Sequence, residues 1–254
     1  MFDSAVTLIL NLYNWGLENL TYILGALWII AIFVYLMKLF IPKWDQFTRF
    51  GKLEVPQKFI ISIDNKLGWI MFYSFSCIVF FITYIIRWPP RFVNIFLFIH
   101  SFRRFLESIF ITKFSSRQMH IINLLAGLLF YIMVPFTLAQ SSKSELSQPI
   151  IWFSIIFVLN TAQFYVHWIL AGLKKYTIPE GLLFSKCTSP HYLIEILLYI
   201  VYFLCAPSIL TVFMIIFVAF NLTHQSIMTY NWYLGKFGNE FVLKNRNVLI
   251  PFIF

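Results

Sequence analysis

Apolar positions along the 254-residue chain run in unbroken blocks instead of recurring on one face of a helix. Stretches free of Asp, Glu, Lys and Arg occupy residues 19–37, 67–86, 118–142, 146–173 and 196–235. Each can cross the hydrocarbon core of a bilayer, which takes about 20 helical residues. The last is long enough to cross twice and is interrupted at "CAPS", where Pro207 disfavours a continuous helix. One more stretch, 92–112, has the right length but carries the octet "HSFRRFLE" at 100–107. The pattern therefore predicts seven helices, near 20–40, 67–87, 92–112, 118–139, 149–171, 190–206 and 208–234. The expected fold class is all-α: one polytopic membrane domain over 1–254 with seven transmembrane helices, N-terminus lumenal and C-terminus cytosolic.

Composition excludes an ordinary soluble domain. The chain is 60% hydrophobic, 20% aromatic and only 11% charged, with mean hydropathy +0.80, whereas soluble domains are roughly a quarter charged. Basic residues, which accumulate on the cytosolic side, set the orientation. With seven spans, fourteen of the nineteen Lys and Arg fall on the cytosolic side, while Arg87, Arg91 and Lys143 fall outside and Arg103 and Arg104 lie within the third span. The net charge of +9 then reads as a topology signal, and no nucleic-acid partner is expected. The first span is expected to serve as signal anchor, since no basic patch or small-residue cleavage site precedes it. Asn19-Leu20-Thr21 matches a glycosylation sequon but abuts that span. Cys77, Cys187 and Cys205 form no CxxC or Cys/His pattern, so neither a disulfide nor a metal site is expected.

The polar residues inside the apolar blocks carry the candidate chemistry. His100, Arg103, Arg104 and Glu107 stand at i, i+3, i+4 and i+7, one stripe of a helix. A local ion pair, Arg103 with Glu107, is one reading; the other is a functional site, because ionisable groups within a membrane are costly and usually mark one. The fifth span carries Asn160, Gln163 and His167 and exits at Lys174. The sixth begins with Ser189 as N-cap and Pro190 in the first turn, followed by His191 and Glu195, and the seventh ends with Tyr230, Asn231 and Tyr233 before Lys236. In the expected topology these groups share one depth, in the cytosolic half. That predicts a polar chamber open to the cytosol, suited to an anionic, hydrogen-bond-rich ligand such as a phosphorylated cofactor. Neither GxGxxG after a strand nor GxxxxGK[ST] occurs, so a dinucleotide would not be held in a Rossmann or P-loop manner.

Several segments carry a family resemblance. The stretch "WYLGKFGNEFVLKNRNVLIPFIF", with "RFGK" (49–52), "HSFRR" (100–104) and Glu107, "QFYVHWILAGLKK" (163–175), "IPEGLLF" (178–184) and "SPHYLIEI" (189–196), resembles the steroid 5-alpha-reductase family and, within it, the polyprenol reductase branch. The resemblance implies a multi-pass enzyme of the endoplasmic reticulum membrane. It would use NADPH to saturate the double bond nearest the oxygen end of a long-chain isoprenoid lipid, toward dolichol and protein N-glycosylation. It assigns Arg104, Gln163, His167, Lys174, Tyr176, His191, Glu195, Tyr233 and Arg246 to cofactor binding, residues 20–112 to the substrate side and 118–254 to the catalytic region. Ser101 stands where steroid-reducing members carry tyrosine, Ser62-Ile63-Asp64 replaces the branch's His-Phe-Tyr, and the histidine expected before the Trp232-Tyr233 pair is missing.

Hydride is a nucleophile, and an alkene conjugated to a carbonyl accepts it far more readily than an isolated one, because charge moves onto oxygen. The aldehyde, polyprenal, is therefore the expected substrate in preference to polyprenol. Glu54, Ser101 and Tyr233 are the candidate catalytic residues for its oxygen. A very-long-chain trans-2-enoyl thioester reductase, a small membrane methyltransferase and a non-enzymatic lipid-binding protein are the competing readings.

Overall fold

The structure, a computed structural model, describes residues 2–41, 61–86, 92–114, 116, 118–141, 146–174 and 177–254. Seven helices of 16 residues or more account for most of them: α1 (Phe2–Phe40), α2 (Asn65–Ile86), α3 (Phe92–Phe110), α4 (Ile121–Ser141), α5 (Pro149–Gly172), α6 (Pro190–Cys205) and α7 (Ile209–Phe237). A single turn, α8 (Asn239–Val242), follows α7. Five of the long helices, α1, α2, α4, α5 and α7, contain a segment long and apolar enough to cross a membrane. The charged octet sets α3 apart, and α6 has only 16 residues, a rise of roughly 24 Å.

Local chemistry explains the boundaries. Proline opens both α5 and α6, where its missing N–H costs no helical bond. Between α6 and α7 the chain breaks at Pro207, and Ser208 restarts it with a reciprocal capping box: its hydroxyl accepts from Thr211 N (3.2 Å) while its own N–H donates to Thr211 Oγ1 (2.9 Å). Asp64 Oδ1 accepts from Leu67 N at 2.9 Å and so caps α2.

Three features depart from the sequence-based expectation. Helix α1 continues without a break from Phe2 through the sequon, whose Asn19 donates to Trp15 O at 2.8 Å. The chain is not wholly α-helical: β1 (Ser62–Asp64) pairs antiparallel with β2 (Gln118–His120), Ile63 opposite Met119. Consequently α4 starts at Ile121 instead of 118. The ladder is anchored by Met119, which is buried against Phe72 and Leu124. A strand this short makes no periodic pattern that a reading of apolar runs can detect.

The main core lies among α1, α3, α4, α5, α6 and α7 and centres on Trp28, Leu138, Leu198, Tyr202 and Met214. Trp28 is fully buried, and its Nε1 donates to Thr137 Oγ1 at 2.9 Å, so the indole brings no unpaired donor into the core. Asn94 on α3 donates to the carbonyl of Pro135 in α4 (3.2 Å). Outward faces are apolar, with Phe33, Phe110, Ile150 and Phe157 all more than 60% exposed. That distribution suits a lipid surround and not water.

Candidate active site

The polar stripe of α3 faces inward and meets α5 and α6. Glu107 is its centre, with a side chain only 1% exposed. Arg103 and Arg104 both donate to it through Nη1, and His167 Nδ1 of α5 lies 2.8 Å from its Oε2. An ionised carboxylate alone in the bundle would cost several kcal/mol; two guanidinium donors and an imidazole offset that penalty. His167 Nδ1 also lies 2.6 Å from Arg104 Nη1. One ring nitrogen presents either a proton or a lone pair. It therefore donates to Glu107 in one tautomer or accepts from Arg104 in the other, and the same atom can switch between two fixed partners.

Arg103 spreads its fork across α5. Its Nε donates to Asn160 Oδ1 (3.1 Å) and its Nη2 to Gln163 Oε1. The Asn160 amide is held in that orientation because its Nδ2 donates to Ile156 O at 2.9 Å. Gln163 then passes the contact to α6, its Nε2 donating to Glu195 Oε2 and to His191 O (3.3 Å). His100 closes the ring with Nε2 3.4 Å from Glu195 Oε1 and Nδ1 3.1 Å from Asn160 Oδ1. Helix α2 contributes Tyr73, whose hydroxyl accepts from Arg104 Nε (3.2 Å) and whose ring lies 5.0 Å from the guanidinium carbon. The cluster is graded in exposure: Glu107 and His100 are sealed at 1% and 4%, while the side chains of Arg104, His167 and Glu195 keep 13%, 13% and 20%.

Five residues assigned from the sequence thus come together: Arg104, Gln163, His167, His191 and Glu195. Four that the stripes contained but the assignment left out belong with them, namely His100, Arg103, Glu107 and Asn160. The Arg103–Glu107 pair read from the octet exists, and α5 joins it through His167. Tyr73 gave no signal, being one phenol in an apolar helix. Within the cluster two carboxylates, Glu107 and Glu195, stand with two arginines, Arg103 and Arg104.

The remaining assignments lie elsewhere. Ser101 is fully buried on the α2 side of α3, its hydroxyl 2.9 Å from Ser76 Oγ. Tyr233 packs with Ile178 and Phe241 in a small aromatic cluster, its ring stacked on Phe237 and Phe241. Lys174 is exposed just beyond α5, where its carbonyl accepts from Thr177 Oγ1 (3.0 Å). Glu54 and Tyr176 lie outside the described residues.

A second polar region forms where the chain after α8 folds back onto the loop before α6. Thr188 N donates to Asn247 O (2.9 Å) and Asn247 N to Lys186 O (3.0 Å), while Lys244 pairs with Glu180. Arg246 is buried with Nη1 donating to Pro179 O at 2.6 Å, and its Nε has no hydrogen-bond partner. Burial lowers its pKa, and burial pushes the nearby Cys187 thiol up to about 11. The hydrogen bond from Lys244 holds the exposed Glu180 carboxyl below its usual range. Ser189 occupies the N-cap position of α6 without capping it; its hydroxyl is buried and likewise unpartnered. Two orphaned buried donors beside a helix N-terminus, with Lys186 in the loop that leads to it, suit an oxygen-rich anion such as a cofactor phosphate.

Residues 107–254 match the family described as 3-oxo-5-alpha-steroid 4-dehydrogenase. The chain is similar to polyprenal reductase 2 of Oryza sativa subsp. japonica, 29% identical over 211 residues, covering 65% of this chain and 59% of the relative. It is also similar to polyprenal reductase 2 of Arabidopsis thaliana, 29% over 214 residues (66% and 62%), and to polyprenal reductase of Homo sapiens, 28% over 189 residues (64% and 59%). The chain spans about three fifths of the length of these relatives.

Proposed function

This chain belongs to the 3-oxo-5-alpha-steroid 4-dehydrogenase family, and we propose that it is a membrane reductase that uses NADPH to saturate the alpha-isoprene double bond of a polyprenoid. Polyprenal is the direct substrate and dolichal the product. The observation that supports this reading best is the convergence of ionisable and amide groups from α3, α5 and α6 on one buried cluster whose outer members stay accessible. Purely structural pairing would need one ion pair, not a chain of contacts through four helices.

When bound, NADPH supplies the hydride. Ser189, Arg246 and Lys174 would hold its phosphates and Gln163, His191 and Glu195 would orient it, with Tyr233 and, outside the described residues, Tyr176 as further candidates for binding it. The protein must also stabilise charge on the substrate oxygen and deliver a proton to the alpha carbon. Glu54, Ser101 and Tyr233 are the groups for the oxygen end. His167 Nδ1, set between Glu107 and Arg104, is the atom that can hold or release a proton without moving the ring.

The seven long helices cross the endoplasmic reticulum membrane, N-terminus lumenal and C-terminus cytosolic, with the cluster in the cytosolic half. Residues 20–112 form the substrate side and 118–254 the catalytic region. The isoprenoid chain needs only apolar walls, which the exposed apolar faces of the long helices supply. The product feeds dolichol synthesis and hence protein N-glycosylation. The test is incubation of purified protein with NADPH and either polyprenal or polyprenol, followed by mass spectrometry. Gain of two hydrogens on the aldehyde is expected; reduction of the alcohol with none of the aldehyde would overturn the substrate assignment.

A further inference from the structure

We propose that the segment following α7 is a membrane-surface anchor, seated at the headgroup level of the bilayer that the long helices cross. Backbone bonds fix its height. Asn247 pairs with Lys186 and Thr188, two to four residues before α6 begins at Pro190, so the segment is tied level with the ends of the helices. At that level it turns large apolar side chains outward: Leu243 is 84% exposed, Phe252 80% and Ile253 80%. Phe252 is placed deliberately, in a left-handed backbone conformation (φ 66°) secured by its N–H donating to Asn247 Oδ1 at 2.9 Å. Such a conformation disfavours a bulky residue, and here it displays an aromatic ring outside the fold.

Charge identifies the occupant. The exposed Lys186, Lys236 and Lys244 outnumber the exposed Glu180 and Glu240 in and around this segment. Lys186 Nζ lies 5.4 Å from the centre of the Phe252 ring, so cation and aromatic face stand together. Aromatic and aliphatic side chains flanked by lysines at the end of membrane helices match the interface between acyl chains and anionic headgroups. A bilayer is thus the occupant; the apolar groove of a soluble protein partner is the alternative that the test separates.

The experiment places 4-fluorophenylalanine at position 252 of the full chain in nanodiscs of phosphatidylcholine and phosphatidylserine. Fluorine line broadening is compared between a lipid carrying a nitroxide near its headgroup and a water-soluble gadolinium chelate. The same label at Phe241, which is 2% exposed, is the buried reference. Broadening by the lipid nitroxide at least about threefold greater than by the chelate is expected at position 252. Equal or greater broadening by the chelate, or protection from both agents as at Phe241, overturns the proposal. The readout needs no turnover, so it stands or falls apart from the reductase reading.

Discussion

Glu107 answers to three partners, and removing its charge leaves Arg103 and Arg104 adjacent with Glu195 as the one carboxylate left in the cluster. Breaking a buried pair in this way costs about 3–5 kcal/mol. Glu107→Gln should therefore lower the unfolding midpoint sharply in detergent, while Glu107→Asp, which keeps the charge, should lose less; equal midpoints for Glu107→Gln and the wild type would contradict the account. Arg246 has a different task. Arg246→Gln should weaken NADPH binding about tenfold, the loss of one charge-assisted contact, with little change in unfolding midpoint; titration of bound NADPH fluorescence checks it. At this scale the stripes at 100–107 and 160–167 were legible because a helix turns every 3.6 residues. Tyr73 was not, since nothing in one sequence says which apolar helix brings a phenol to Arg104.

Between elements, close approach matters more than polarity. A Cβ on Gly127 of α4 would come within 2.4 Å of the Phe72 ring of α2, whereas one on Gly68 would meet the flexible thioether of Met119 at 2.8 Å. Gly127→Ala should destabilise by about 1–3 kcal/mol through overpacking, and Gly68→Ala by less, as thermal unfolding of the two variants will show. The Lys244–Glu180 contact sets a pH dependence. Its carboxyl titrates below the ordinary glutamate range, so the contact is present at neutral pH and is lost as pH falls through that lowered value. Hydrogen exchange of the amides near 244–247, corrected for intrinsic rates, should stay slow down to the ordinary glutamate range and speed up only below it. The break at Pro207 was legible from one proline. The β1–β2 ladder and the fold-back of Asn247 were not, because three-residue pairings over long separations leave no local pattern.

For the whole molecule, the apolar blocks revealed the helices, and the distribution of basic residues carries the expected orientation. If that orientation holds, cysteines placed in the 177–189 loop and after α8 should react with an impermeant maleimide from the same, cytosolic side of sealed microsomes. The depth at which separate helices place their polar groups also pointed to one shared cluster, and α3, α5 and α6 do meet there. Which atoms pair could not be read in advance, because rotation of each helix about its axis is set by packing. The central proposal is that this cluster orients the cofactor and so is needed for the reduction. Its most direct test is NADPH-dependent turnover of polyprenal by the wild type and by Arg104→Lys, which keeps the charge and removes the fork joining Glu107 and Tyr73. A correctly folded Arg104→Lys protein with turnover reduced by about a hundredfold or more is the predicted result; wild-type turnover in that protein would contradict it.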